Sequence, residues 1–157
     1  MEIRAILEAA EKQRIVRRIL EALPDWFGVP ESREEYIRQS ANQPLYAAYD
    51  EDRPVGFVCL KETGRDTAEI SVMGVLKEYH GRGIGTRLFE AARDAAERRG
   101  YSFLQVKTVQ MGKYDDYDQT NRFYLSVGFK EFEVFPLLWD ERNPCQVYVM
   151  SLGQGVG

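Results

Sequence analysis

Val75-Leu76-Lys77-Glu78-Tyr79-His80-Gly81-Arg82-Gly83-Ile84-Gly85-Thr86-Arg87-Leu88 leaves a β-rich run, passes three alternate glycines and enters a stretch with helical spacing. Such a junction is a ready anion site. The first amides of a helix have no acceptor within it, the helix dipole favours negative charge, and glycines let the main chain approach a diphosphate without Cβ collisions. The spacing excludes two nucleotide motifs. GxxxxGK[ST] is absent, and the dinucleotide GxGxxG fails because Thr86 occupies its final place. Taken alone, the glycines are compatible either with an anion cradle or with a plain turn.

Upstream, Met1 to Leu7 reads as a short strand. A helix is predicted from about Lys12 to Leu23, with Ile15, Val16, Ile19, Leu20 and Leu23 on one face, stopped by Pro24. After the loop Asp25 to Pro30, Ser32 and Glu35 form a capping-box pattern for a second helix fading near Ser40. Leu45–Tyr49 and Val55–Leu60 read as a hairpin around the polar residues 50–54, and Thr67–Leu76 as a third strand. Downstream, Gly83 to Arg99 is helical, with Leu88, Ala91, Ala92, Ala95 and Ala96 able to share a face. Phe103–Val109 is the next strand, Gln119–Val127 a further helix, and Phe129–Phe135 and Gln146–Leu152 the last strands.

The 157 residues match one domain, and no repeat or linker divides them. The expected boundaries are a domain over 1–152 and a flexible tail over 153–157. A net charge of −4 lacks the basic footprint of a nucleic-acid binder. Cys59 and Cys145 are far apart, and His80 is the only histidine, so neither a disulfide framework nor a metal site is expected. Met1–Leu7 lacks the apolar core of a signal peptide, and no stretch reaches the roughly 18 apolar residues that span a bilayer. A cytoplasmic location without membrane association is the expectation.

His80-Gly81-Arg82-Gly83-Ile84-Gly85 resembles the Q/R-x-x-G-x-G/A signature of the GNAT acetyltransferases, with His80 in place of Gln or Arg. Asn121-Arg122-Phe123-Tyr124-Leu125-Ser126-Val127-Gly128-Phe129 resembles the family's later helix ending in FYxxxGF. The asparagine frequent seven residues before the tyrosine is absent, Tyr117 standing there. The order of elements fits over nearly all of Met1–Leu152. The resemblance implies an α/β (α+β) fold: a central, mostly antiparallel sheet of about seven strands, helices on both faces, and a V-shaped splay between two central parallel strands.

It also implies the activity: transfer of an acetyl group from acetyl-CoA to a primary amine by direct attack, without an acyl-enzyme. The cofactor-binding set it points to is Met73, Val75, His80, Gly81, Arg82, Gly83, Gly85, Thr86 and Asn121. Tyr124 would protonate the departing thiolate, and the Val75 amide would meet the oxygen that gains charge. Glu69, sixteen residues before Gly85, matches a general-base glutamate of histone-acetylating relatives. On the residues alone, Glu69 reads equally as an outward side chain of a half-solvated strand. Asp115, Asp116 and Asp118 form an acidic cluster that draws in a cationic acceptor or is simply solvated loop charge. Trp26, Phe27 and Trp139, the last between the final strands, are candidates for acceptor contacts, with Tyr114 and Tyr117 behind them. Small-molecule or peptide amines are the expected acceptors, and a homodimer through the C-terminal strands is common among relatives. The alternatives are a non-catalytic acyl-CoA-binding or ligand-sensing module and an interaction domain whose glycines only make turns.

Overall fold

The computed structural model describes residues 1–153; of the expected tail, residues 154–157 lie outside the described residues. The strands are β1 (Glu2–Ile6), β2 (Leu45–Asp50), β3 (Arg53–Gly64), β4 (Thr67–Val75), β5 (Phe103–Val109), β6 (Lys130–Asp140) and β7 (Asn143–Ser151). The helices are α1 (Ala9–Glu21), α2 (Pro30–Ser40), α3 (Ile84–Arg98) and α4 (Asp115–Ser126). The seven strands pair in the order β1-β2-β3-β4-β5-β7-β6. The β4·β5 ladder is parallel, and β1·β2, β2·β3, β5·β7 and β6·β7 are antiparallel. The mixed α/β sheet expected from the sequence is therefore present. Contacts group the chain into two compact units, Met1–Lys61 with Ile70–Ala95, and Glu62–Glu69 with the chain from Ala96 onward.

In the first unit, α1 buries Ile15, Val16, Ile19 and Leu20, with Leu23 just beyond. It begins three residues before the predicted start because Ala9, Ala10 and Glu11 are strong helix formers outside the apolar stripe. It ends at Glu21, and the amides of Ala22 and Leu23 tighten onto Ile19 and Leu20. Pro24 then disfavours helical geometry at Leu23. The predicted capping box of α2 is not formed. Pro30 at the first position starts the helix two residues before Ser32, while Glu35 instead accepts from Arg38 Nε (3.0 Å) and Gln39 Nε2 (2.7 Å).

The hairpin turn is two residues, Glu51-Asp52, rather than five. Asp50 pairs with Arg53, Glu51 takes a φ of 55°, and Pro54 enters the strand opposite Tyr49 beside a bulge. Gly56 and Phe57 are consecutive on β3 and so point to opposite faces. A Cβ at Gly56 would lie 3.1 Å from Leu88 Cδ1 of α3. A Cβ at Gly74 would meet Leu23 (3.1 Å), Ile19 (3.2 Å) and the Phe57 ring (3.5 Å). Thus α3 and α1 cover opposite faces of the sheet in this unit. The packed face of α3 is Ile84, Leu88, Phe89, Ala92 and Ala95, with Ala91 at its margin.

In the second unit, β4 and β5 pair at Thr67↔Phe103, Ala68↔Leu104 and Glu69↔Gln105. β5 and β7 pair without a break from Phe103↔Ser151 to Val109↔Cys145. α4 starts four residues before the predicted Gln119, so Asp115, Asp116 and Asp118 form its first turn instead of a preceding loop. That is where a helix dipole favours carboxylates, and Asp118 Oδ1 also accepts the Gly112 amide at 2.7 Å. β6 runs past Pro136 to Asp140, which puts Trp139 inside a strand rather than between two. The ladder opens there: Phe135 pairs with Cys145 and Asp140 with Asn143, leaving Pro136-Leu137-Leu138-Trp139 against Pro144 alone.

Candidate active site

The glycine loop belongs to the first unit. β4 ends at Val75, a single 3-10 turn covers Lys77–Tyr79, and α3 begins at Ile84. Gly81 and Gly83 have φ of 77° and 78°. A Cβ at either would touch nothing within 4 Å, so backbone conformation rather than crowding demands glycine. The Arg87 amide donates to the Gly83 carbonyl at 3.2 Å, the first bond of α3. Helix geometry therefore leaves the amides of Ile84, Gly85 and Thr86 without intrahelical acceptors at the positive end of the dipole.

His80, where the sequence departs from Gln or Arg, turns back on the strand. Its Nε2 lies 2.7 Å from the Val75 carbonyl; a carbonyl only accepts, so Nε2 carries the hydrogen. The ring also meets Trp26 edge-on at 5.8 Å. Lys77 Nζ stands 5.8 Å from the Trp26 ring centroid and 3.0 Å from Asp25 Oδ2. Trp26 thus borders the loop, whereas Phe27 packs against Tyr36 of α2 at 6.0 Å. Arg82 lies over the Tyr79 ring at 4.9 Å, and the Tyr79 hydroxyl donates to Asp50 at 2.6 Å. Thr86 is exposed, and Met73 and Val75 are half-buried along β4.

In the second unit Glu69 is buried, 5% exposed, not turned outward to solvent. Its Oε1 accepts from Gln105 Nε2 and Lys107 Nζ, each at 2.9 Å. Neither partner was anticipated, although strand alternation puts Gln105 and Lys107 on one face of β5. Asn121 is fully buried. It donates to the carbonyls of Val109 (2.8 Å) and Tyr117 (2.7 Å) and accepts from the Tyr148 hydroxyl (2.6 Å). Tyr124, 7% exposed, has its ring among Phe123, Phe129 and Tyr148 at centroid distances of 5.6, 5.6 and 6.2 Å.

The register fixes the sides. Tyr148 pairs with Val106, while Lys107 and Gln105 pair with Val147 and Val149. Glu69 with its partners and the α4 residues Asn121 and Tyr124 accordingly stand on opposite faces of the β5·β7 ladder. Tyr114 and Tyr117 meet edge-on at 5.9 Å, and Trp139 is half exposed on β6.

Neither thiol is built for nucleophilic work. Burial pushes Cys59 up to about 12 and, with the Glu69 charge adding to it, Cys145 up to about 11. Among the described residues no cluster of His, Cys, Asp and Glu is arranged to hold a metal ion. None of their helices is long and apolar enough to cross a membrane.

A glycine turn of this conformation between strand and helix, in a mixed sheet that includes the parallel β4·β5 pair, defines an α/β fold class. The chain belongs to the Acetyltransferase (GNAT) family, whose model matches residues 15–129. N-alpha-acetyltransferase 30 of Schizosaccharomyces pombe is 30% identical over 92 residues, 56% of this chain and 58% of that protein. The chain thus spans under two thirds of this curated relative. A GNAT-family protein of Desulfovibrio desulfuricans has the same fold with a TM-score of 0.85 at 17% identity, covering 97% of this chain and 99% of that one. An aminoglycoside 6'-N-acetyltransferase solved with coenzyme A matches with a TM-score of 0.77 at 19% identity over 100% of both chains.

Proposed function

We propose that this protein transfers an acetyl group from acetyl-CoA to a primary amine by direct attack. The observation that carries the reading is the loop in which Gly81 and Gly83 hold left-handed backbone and α3 opens directly behind them. Its amides suit a pyrophosphate, with Arg82 and Thr86 beside it and His80 closing the loop onto Val75. In this reading the edge of β4 at Met73 and Val75 receives the pantetheine arm, and the Val75 amide stabilises the oxygen that gains charge. Asn121, which the resemblance also assigns to the cofactor, is given no part in this reading because it is buried with both amide hydrogens engaged.

Acetyl-CoA supplies an activated thioester. An amine with an ordinary pKa of about 10.4 must lose a proton to attack it. Glu69 accepts that proton, directly or through a water. As the new C–N bond forms and the C–S bond breaks, Tyr124 donates its proton to the leaving sulfur. Trp26, Phe27 and Trp139 are the acceptor contacts in this reading. Amine acceptors have precedent in the fission-yeast relative, an N-alpha-acetyltransferase, and in the structural one, an aminoglycoside 6'-N-acetyltransferase.

Purified protein incubated with acetyl-CoA and a panel of peptide, polyamine and aminoglycoside amines should release free thiol with at least one of them. Calorimetry should show saturable acetyl-CoA binding that Gly83→Trp abolishes. Binding without thiol release across the panel would instead support the ligand-sensing alternative, and no binding would end the proposal.

A further inference from the structure

The geometry points to Asn121 as a positioning residue that sets the Tyr124 phenol through Tyr148, an inference that rests on Tyr124 being the acid. Asn121 and Tyr124 are three residues apart on α4, on the same buried face. The Asn121 side chain binds three separate segments at once. One amide hydrogen goes to the carbonyl of Val109, the last residue of β5, and the other to Tyr117 one turn back on α4. Its carbonyl takes the hydroxyl hydrogen of Tyr148 on β7 at 2.6 Å.

These bonds leave the Tyr148 ring little freedom. Its hydroxyl is held from α4, and its backbone lies in ladders with both β5 and β6. That ring is one wall of the aromatic enclosure around Tyr124, with Phe129 edge-on at 5.6 Å and 81° and Phe123 tilted at 5.6 Å. The Phe129 amide also donates to the Tyr124 carbonyl at 3.1 Å. A proton donor must sit within hydrogen-bond reach of its target, and a shift of about 1 Å can cost ~10²-fold in rate. Asparagine suits the tie because its amide group offers two donors and an acceptor in one plane. Aspartate would set a carboxylate against two carbonyls, and leucine would remove the acceptor of the Tyr148 hydroxyl and the side-chain donor to the Val109 carbonyl.

The test is a double-mutant cycle read as kcat and as KM for acetyl-CoA. Asn121→Ala and Tyr148→Phe should each lower kcat at least about tenfold with KM for acetyl-CoA unchanged. Neither should cause a further loss once Tyr124→Phe is present, because nothing is left to position. If Asn121→Ala does not fold, Tyr148→Phe decides alone, since it keeps the ring and removes only the hydroxyl. Wild-type kcat in Tyr148→Phe, or losses that multiply in the Tyr124→Phe background, would overturn the inference while leaving Tyr124 as the acid. Wild-type turnover in Tyr124→Phe itself would remove both.

Discussion

A phenol only 7% exposed, enclosed by three aromatic rings, has few rotamers to choose among. Tyr124→Phe keeps that packing and deletes only the proton donor. It should lower kcat by about 10²- to 10⁴-fold, the range for a lost general acid, with acetyl-CoA affinity nearly intact by calorimetry. Glu69 gives a different signature. In the ion pair with Lys107 and the bond from Gln105, Glu69→Gln keeps the shape and loses the charge that accepts a proton. The rate should fall most at low pH, where the amine is least able to lose its own proton, and recover toward wild type as pH rises. A pH–rate profile parallel to wild type would take proton removal away from Glu69 and give it to water or another residue.

At the scale of elements, the glycine loop separates binding from folding. Gly83→Val forces a branched side chain to a φ of 78°, at a cost of about 1–2 kcal/mol. For a chain of this length that is a drop of ~2–8 °C in Tm. With no neighbour within 4 Å of the new Cβ, the fold should survive while acetyl-CoA affinity falls sharply in calorimetry. This loop was legible in the sequence because its signal is local: glycines at fixed spacing before a helix. β5 was legible over its full length, Phe103–Val109, because Gly100 and the β-rich run bound it. The start of α4 was not, since Asp115 and Asp116 read as loop residues until the favourable helix dipole is considered. The extension of β6 past Pro136 was hidden for the same kind of reason, because proline argues against a strand unless its ladder is broken there. The pairing of Glu69 with Lys107 depended on register between strands 36 residues apart in the sequence, which periodicity within either strand does not supply.

For the molecule as a whole, burial of both thiols ties stability to alkaline pH. An ordinary thiol titrates near 9.0, whereas folding raises Cys59 to about 12 and Cys145 to about 11. The unfolded chain therefore loses these protons first. Their contribution is complete below pH 9 and declines as pH rises from there to about 12. Burial raises the Tyr49 and Tyr148 hydroxyls as well, with the same sign. Tm should fall from pH 9 to 11, and the fall should be shallower in Cys59→Ala/Cys145→Ala. An equal slope in that variant would place the alkaline sensitivity elsewhere. The outer strand β6 bears on a different property, the behaviour of the chain at high concentration. It is eleven residues long, exposed along nearly all of them and last in the sheet order, which is the profile of a template for runaway strand addition. The unmatched Pro136–Trp139 segment and the register shift between Glu131 and Glu133 interrupt its outward row of amides and carbonyls. The irregularity that makes β6 hard to read is thus also its protection against aggregation, and a deletion that restored regular pairing would trade a tidier hairpin for a sticky edge.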